Sequence, residues 1–251
     1  MSHPPTVLAD CVVVMIKHPQ SGRVKTRLAA TLGEQHAVAL YRCFVQDLLR
    51  TVDAVDAHTL LSIDPWTMRA DFAAWLGNDR WFQPQVGADL GGRMDDAFSQ
   101  AFEAGHDRVV LIGSDLPDLP GDLLVKALRG LGRHEVVLGP AQDGGFYLLG
   151  WSRRAFRPGL FAAVPWSTPT VFADCREALL RSGLEPHILP SWFDVDLAAD
   201  LRQLVQRDLL PRDAATRVFL KSSRFPSRSQ KLAWLYQEAS RLAARLFSRT
   251  D

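Results

Sequence analysis

Short apolar runs rich in β-branched residues recur along this chain, and most are followed by a stretch of helical periodicity. "CVVVMIK" (11–17), "HTLLSID" (58–64), "WFQPQV" (81–86), "RVVLIGSD" (108–115), "EVVLGP" (135–140) and "GFYLLGW" (145–151) read as strands. Helical spacing appears over 34–49, in a segment ending near Gly77, and over 94–104, 121–131, 168–182 and 197–208, while 187–196 reads as extended. Such alternation demands an α/β fold with a largely parallel sheet. "EVVLGPAQDGGFYLLGW" adds a restriction, because it holds two strands with no room for a crossover helix. A parallel connection takes a dozen residues or more, so 145–151 must run antiparallel to a neighbour. The expected fold is therefore a mixed, mostly parallel sheet flanked by helices.

With 47% hydrophobic and 23% charged residues, the chain has what a globular core requires and too little charge for global disorder. A net charge of +1 gives no reason to expect a nucleic-acid partner. The three cysteines, Cys11, Cys43 and Cys175, lack metal-ligand spacing and read as free thiols of a reducing compartment. No window reaches the ~20 apolar residues of a membrane span, and the first residues carry no secretion pattern, so a cytoplasmic enzyme is expected.

The character changes after Pro211. Residues 211–251 hold nine Lys or Arg against three acidic residues. We therefore divide the chain into a main domain, 1–210, and a basic extension, 211–251. Leu232, Leu235, Ala239, Leu242 and Leu246 form an apolar stripe at helical spacing within that extension. The helix would pack on its own domain, on a second copy in a homodimer, or peripherally on a membrane surface.

Several motifs at the expected strand ends could carry chemistry. "SGRVKTRL" (21–28) follows the first strand but is not a Walker loop, since Val24 rather than glycine precedes Lys25. If extended, it would project Arg23, Lys25 and Arg27 to one side, a row suited to a diphosphate or triphosphate. A solvated loop is the alternative. Asp115, at the end of the 108–115 strand, lies where ligands bind in open α/β sheets and suits a divalent ion, while Asp118 is the better capping residue. Asp143, Gly144 and Gly145 could let a ligand approach the backbone or simply make a hairpin turn. Asp194 and Asp196 end an extended segment before a helix, and either is a second metal ligand or Asp196 an N-cap. "QVGADLGGRM" (85–94) offers a glycine-rich turn on which a base or ribose could pack.

The order of "KHPQSGRVKTRLAATLGEQHAVALYRCFVQDLL", "GADLGGRMDDAF", "VVLIGSDLPDLP", "VVLGPAQDGGFYLLG" and "FDVDLAADL" resembles a bacterial family of glycosyltransferase-A-type proteins over roughly residues 10–208. Its members are uncharacterised transferases, some of the radical-SAM-associated or arsenosugar-biosynthesis glycosyltransferase type. The layout is similar, more distantly, to phospholactate and molybdenum-cofactor guanylyltransferases. The resemblance implies a nucleotide-diphospho-sugar transferase fold, GT-A-like and Rossmann-like. It implies nucleotide binding through Lys17, Gly22, Arg23, Lys25, Arg27, Asp89, Gly91, Gly92 and Arg93, and Mg²⁺ or Mn²⁺ on Asp115 with Asp194 or Asp196. Asp143, Gly144 and Gly145 would line the acceptor side, and Lys25, Asp115 and Asp143 would carry catalysis. The strand end reads "SDLP", without D-x-D, and the first loop lacks the paired glycines of many nucleotidyltransferases, so the donor type stays open.

Three functions follow as expectations. The first is metal-dependent glycosyl transfer from a nucleotide-sugar to a small acceptor, with Asp143 as base. The second is nucleotidyl transfer from an NTP to a phosphorylated acceptor with release of pyrophosphate. The third is a non-catalytic nucleotide-binding module on the same fold.

Overall fold

The computed structural model describes residues 9–222. Among these residues seven strands form one sheet in the order β3-β2-β1-β4-β6-β5-β7. They are β1 (Asp10–Lys17), β2 (His58–Asp64), β3 (Trp81–Pro84), β4 (Arg108–Gly113), β5 (Val136–Pro140), β6 (Phe146–Ser152) and β7 (His187–Ile188). β1 runs parallel to β2 and β4, β2 to β3, and β5 to β7. β6 runs antiparallel to both of its neighbours, β4 and β5, as the short link between 140 and 145 requires. The mixed, mostly parallel sheet expected from the sequence is thus what the chain forms.

Among the described residues eight α-helices surround the sheet: α1 (Thr26–Leu32), α2 (Glu34–Asp53), α3 (Arg69–Leu76), α4 (Leu90–Glu103), α5 (Gly121–Leu131), α6 (Val171–Arg181), α7 (Ala198–Arg207) and α8 (Ala215–Lys221). Side-chain alternation along β1 sends Val12, Val14 and Ile16 to one face and Cys11 and Val13 to the other. The first face packs on Val45, Leu48 and Val52 of α2 and Leu124 and Leu128 of α5. The second packs on Met94, Phe98 and Ala101 of α4 and Cys175 and Leu179 of α6. Both faces of β1 are therefore buried, which is why it reads as a continuous apolar run. Each fully buried side chain of this kind contributes ~1.5–3 kcal/mol relative to exposure.

Element ends depart from the sequence reading where a local group intervenes. The third strand stops at Pro84 rather than residue 86, since proline cannot donate to a ladder. α4 starts at Leu90, four residues early, because the Asp89 carboxylate accepts the Gly92 amide at 2.8 Å and opens the helix there. Of the extended segment 187–196, only His187–Ile188 pairs as a strand, and Trp192 makes a single bridge to Ala141.

A third apolar cluster joins the N-terminal half of α2 to α1 and α7 through Leu28, Phe44, Val195 and Leu201. Leu210 and Ala214 belong to it, and Phe219 and Leu220 of α8 pack against it. Residues 211–222, assigned by the sequence to the extension, thus pack on the main body. The amphipathic stripe from Leu232 onwards lies outside the described residues. The anchor of α8 is buried Asp47 on α2, whose two carboxylate oxygens accept the Ala215 and Thr216 amides at 2.7 and 2.8 Å. Asp47→Ala should strand one buried and one partly buried donor and cost roughly 2–4 kcal/mol. In urea unfolding this should appear as a lower midpoint with an unchanged slope, and Asp47→Asn should recover part of the loss.

Candidate active site

From β1 the chain builds outward through β2 to β3, then returns to place β4 on the other side of β1. The β1/β4 junction is therefore where the direction of winding reverses, and a crevice opens at the carboxyl ends of those strands. Lys17 ends β1, and Ser114 and Asp115 follow β4 directly. Buried Tyr41 of α2 stitches the two ends together. Its hydroxyl accepts the Lys17 amide at 3.0 Å, donates to the Lys17 carbonyl, and lies 2.9 Å from Ser114 Oγ. Burial, then the nearby Asp115 charge, pushes the Tyr41 phenol far up, so it acts as a neutral strut.

The segment after β1 is a turn, not an extended row of cations. At its end Lys25 adopts a left-handed conformation (φ 50°) and precedes α1. That conformation turns its side chain inward, leaving 2% of it exposed, while Arg23 and Arg27 remain at the surface. Lys25 Nζ lies 2.7 Å from Asp115 Oδ2 and 2.7 Å from Asp196 Oδ1. Three elements far apart in sequence thus converge on one ammonium.

Asp196 is brought there by the chain before α7. The Val195 amide donates to the Asp115 carbonyl at 3.0 Å and the Trp192 amide to the Pro140 carbonyl at 3.0 Å. The Trp192 indole donates to Asp118 at 3.1 Å, and Arg207 stacks over Trp192 at 4.0 Å. Asp118, expected to cap a turn, instead has its carboxylate buried and pins this distant segment. Asp196 is not the helix cap either. Asp200 accepts the Asp196 and Leu197 amides at 3.0 and 2.6 Å, which leaves the Asp196 carboxylate available to Lys25.

Two carboxylates against one ammonium leave the cluster negative. Burial pushes Asp115 up, Lys25 opposes this and Asp196 adds to it, with a net upward shift. Burial alone would pull Lys25 down, but Asp115 and then Asp196 outweigh it and the ammonium is held charged. Asp194 is raised to about 6 by burial, then by the charges of Asp196, Asp143 and Asp115. Asp115 Oδ1 is itself closed to solvent and has no hydrogen-bond partner.

Above the cluster lies a cavity of about 690 Å³. Lys17, Arg23, Lys25, Arg27, Asp89, Arg93, Asp115 and Asp196 all line it, so most of the sequence-derived nucleotide and metal residues meet in one place. Arg93 pairs with Asp64 at the end of β2 at 3.1 Å. Gly91 and Gly92 lie in the first turn of α4, not in a loop. A Cβ on Gly91 would come 2.8 Å from the Trp166 ring, so this glycine serves internal packing.

Other expected residues stand apart from the cavity wall. Gly22 occupies an exposed turn with φ +75°. Asp143, Gly144 and Gly145 form the β5–β6 turn and are absent from the lining. Asp143 Oδ1 accepts the Gly145 amide at 2.9 Å, and a Cβ on Gly144 would fall 1.9 Å from the Pro169 carbonyl oxygen. Gly144 therefore admits a neighbouring loop, and Gly145 abuts the Asp143 carboxylate of its own turn. Asp194 is also outside the lining, and no group of three or more His, Cys, Asp or Glu able to hold a metal occurs among the described residues. Sequence reasoning missed Tyr41, Ser114, Gln85 and the apolar wall of Phe146 and Tyr147. Tyr41 lies in the apolar stripe of α2, so its spacing marks it only as core, which it also is.

Residues 48–168 match the family described as "Uncharacterized protein conserved in bacteria (DUF2064)". The crystal structure of a "putative nucleotide-diphospho-sugar transferase" from Desulfovibrio desulfuricans G20 is 39% identical in sequence. It superposes with a TM-score of 0.81, covering 85% of this chain and 94% of that one. The fold is shared more distantly with two other proteins. One is a CMP:2-keto-3-deoxy-manno-octonic acid synthetase complexed with CTP, at 12% identity and TM-score 0.50 over 79% of this chain and 98% of that one. The other is the 4-diphosphocytidyl-2C-methyl-D-erythritol synthase of Anaerococcus prevotii DSM 20548, at 9% identity and TM-score 0.51 over 79% and 100%. None of the curated proteins matches the chain.

The raised Asp194 predicts a pH signature in metal-free buffer. Between about pH 4 and about pH 6 the folded chain keeps a proton that the unfolded chain has released, so this group lowers stability as pH rises through that window. Asp194→Asn should remove roughly 2 kcal/mol of that loss, after discounting for partial exposure. Chemical unfolding of both proteins at pH 4 and pH 7 measures it, and an equal difference at the two pH values would contradict it.

Proposed function

We propose that this chain, which belongs to the DUF2064 family, is a metal-dependent transferase that takes a nucleotide-activated donor and moves its glycosyl group to a small acceptor. The observation that carries this reading is the meeting of Asp115 and Asp196 around buried Lys25, on the wall of a cavity also lined by Lys17, Arg23, Arg27 and Arg93. Glycosyl transfer in particular is supported by the name of the 39% identical relative.

The donor set fits a hard divalent ion. Asp115 and Asp196 offer oxygens only, they outnumber the one ammonium between them, and Asp115 Oδ1 is buried without a partner. Mg²⁺ or Mn²⁺ held by these two carboxylates would supply Lewis-acid neutralisation of a departing diphosphate. The chain's own residues do the rest. Arg23 and Arg27 are exposed on the cavity wall and free to give charge-assisted hydrogen bonds to phosphate oxygens. Tyr41 and Ser114 fix the strand ends on which Lys17 and Asp115 are mounted, so the site is preorganised before a ligand arrives. Phe146, Tyr147 and Met94 give the cavity an apolar side against which a nucleoside could pack.

A second reading, nucleotidyl transfer to a phosphorylated acceptor, is favoured by one observation. Of the carboxylates on the cavity wall, Asp115 and Asp196 face Lys25 and Asp89 opens α4, and Asp143, which lies off that wall, serves its own turn. Among the described residues, no carboxylate on that wall is left over as a base for a hydroxyl nucleophile, and a phosphate nucleophile needs none.

Phosphorus NMR of reactions with nucleotide-sugars and with NTPs, each with a panel of sugar, alcohol and phosphate acceptors, distinguishes the two. Release of a nucleoside diphosphate from a nucleotide-sugar establishes glycosyl transfer. Pyrophosphate from an NTP overturns it in favour of the second reading. In the active assay, Asp115→Asn and Asp196→Asn should each lower kcat about 10²–10³-fold. Arg23→Ala and Arg27→Ala should act mainly by raising KM for the donor. Asp143→Asn should leave turnover unchanged, and a large loss there would restore it as the base.

A further inference from the structure

The Lys25 ammonium touches the same two carboxylates that the proposed metal needs. We infer that Lys25 is a built-in counter-ion that holds the metal site closed in the free protein and leaves it only when donor phosphates draw it out, so that metal and donor bind together and the metal does not bind alone. The inference rests on the metal-site reading given above and goes beyond it, because that reading allows the metal to bind first.

Three observations carry it. First, Lys25 Nζ is 2.7 Å from an oxygen of each carboxylate, which leaves no space between those two oxygens for a second cation. Second, the lysine is held there by its backbone. Its left-handed φ of 50° is an uncommon conformation for a residue with a side chain, and the Ala29 amide bonds the Lys25 carbonyl at 2.8 Å, fixing the residue at the start of α1. Flanking Val24 and Leu28 are buried, so the turn cannot swing out as a whole. Third, withdrawal of the ammonium has a destination. Lys25 lines the same cavity as exposed Arg23 and Arg27, where an incoming diphosphate would sit. A diphosphate offers the ammonium replacement anions, and the vacated carboxylates then take the divalent ion. Neither exchange is favourable alone. A metal arriving by itself would push a buried ammonium against a dication, and an ammonium leaving by itself would strand two half-buried carboxylates with no counter-charge. The two ligands must therefore bind cooperatively.

Titration of the full chain with Mn²⁺, followed by the loss of the free-ion electron paramagnetic resonance signal, tests this without any assay of turnover. Wild type, Lys25→Met and Asp115→Asn are each titrated alone and with a saturating nucleoside diphosphate, each of the common bases being tried. Wild type should bind Mn²⁺ weakly alone and roughly tenfold or more tighter with the nucleotide. Lys25→Met should bind Mn²⁺ alone roughly tenfold or more tighter than wild type, with most of the nucleotide enhancement gone. Equal or weaker Mn²⁺ binding by Lys25→Met, with Asp115→Asn still abolishing the nucleotide-supported binding of wild type, overturns the counter-ion role and leaves the metal site standing. Absence of Mn²⁺ binding in every variant and mixture overturns the metal site and the inference with it. If Lys25→Met does not fold, the lysine ammonium resonance of Lys25 in wild type decides the matter. Mg²⁺ alone should leave it in place and Mg²⁺ with the nucleoside diphosphate should shift it, whereas a shift with Mg²⁺ alone refutes the inference.

Discussion

A charged ammonium enclosed between two carboxylates is costly to bury, and it is tolerated only when both partners are held in place from outside. Around Lys25 that condition shapes much of the molecule. Asp115 follows two residues after the β4 ladder ends at Gly113, and Asp196 is held by a segment zipped to Asp115 through the Val195 amide. Lys25 is fixed by the start of α1, whose Leu28 is buried with Phe44 and Val195 in the third apolar cluster. Removing any of these supports would leave an uncompensated charge in a poorly solvated place.

The supports are themselves tied to the rest of the sheet. Tyr41 joins the ends of β1 and β4 with three polar contacts while belonging to the α2 core. Asp118 and Arg207 clamp Trp192, which sets the course of the chain towards Asp196. Polar groups of this sort are buried because each one finds a partner, and the partners lie on different elements. The site's geometry is thus a product of packing, not of a single loop, and differs in that respect from a glycine-rich phosphate loop whose backbone alone forms the cradle.

The glycines make the same point from the other side. "DLGGRM" and "DGG" look like places where a ligand meets bare backbone. Gly91 meets Trp166, and Gly144 meets the Pro169 carbonyl. Close approach is indeed what those positions require, but the approaching group belongs to the chain. Nothing in the local sequence distinguishes a glycine opposite a ligand from one opposite a tryptophan 75 residues later.

What the sequence determined by itself is the set of features that depend on near neighbours. The strands and helices follow from hydrophobic period, and the antiparallel β6 from a link too short for a crossover. The location of Asp115 at a sheet edge also followed, because a strand end is a local property. The tertiary structure alone decided which charges meet. Lys25 and Asp196 are separated by 171 positions, and their contact depends on the turn of a backbone angle at one end and a clamp of Asp118, Trp192 and Arg207 at the other. The expected row of three cations became one buried lysine and two exposed arginines for the same reason. Side-chain direction in a turn is set by φ and by what the neighbouring core accepts, and neither is written in the residues of the turn.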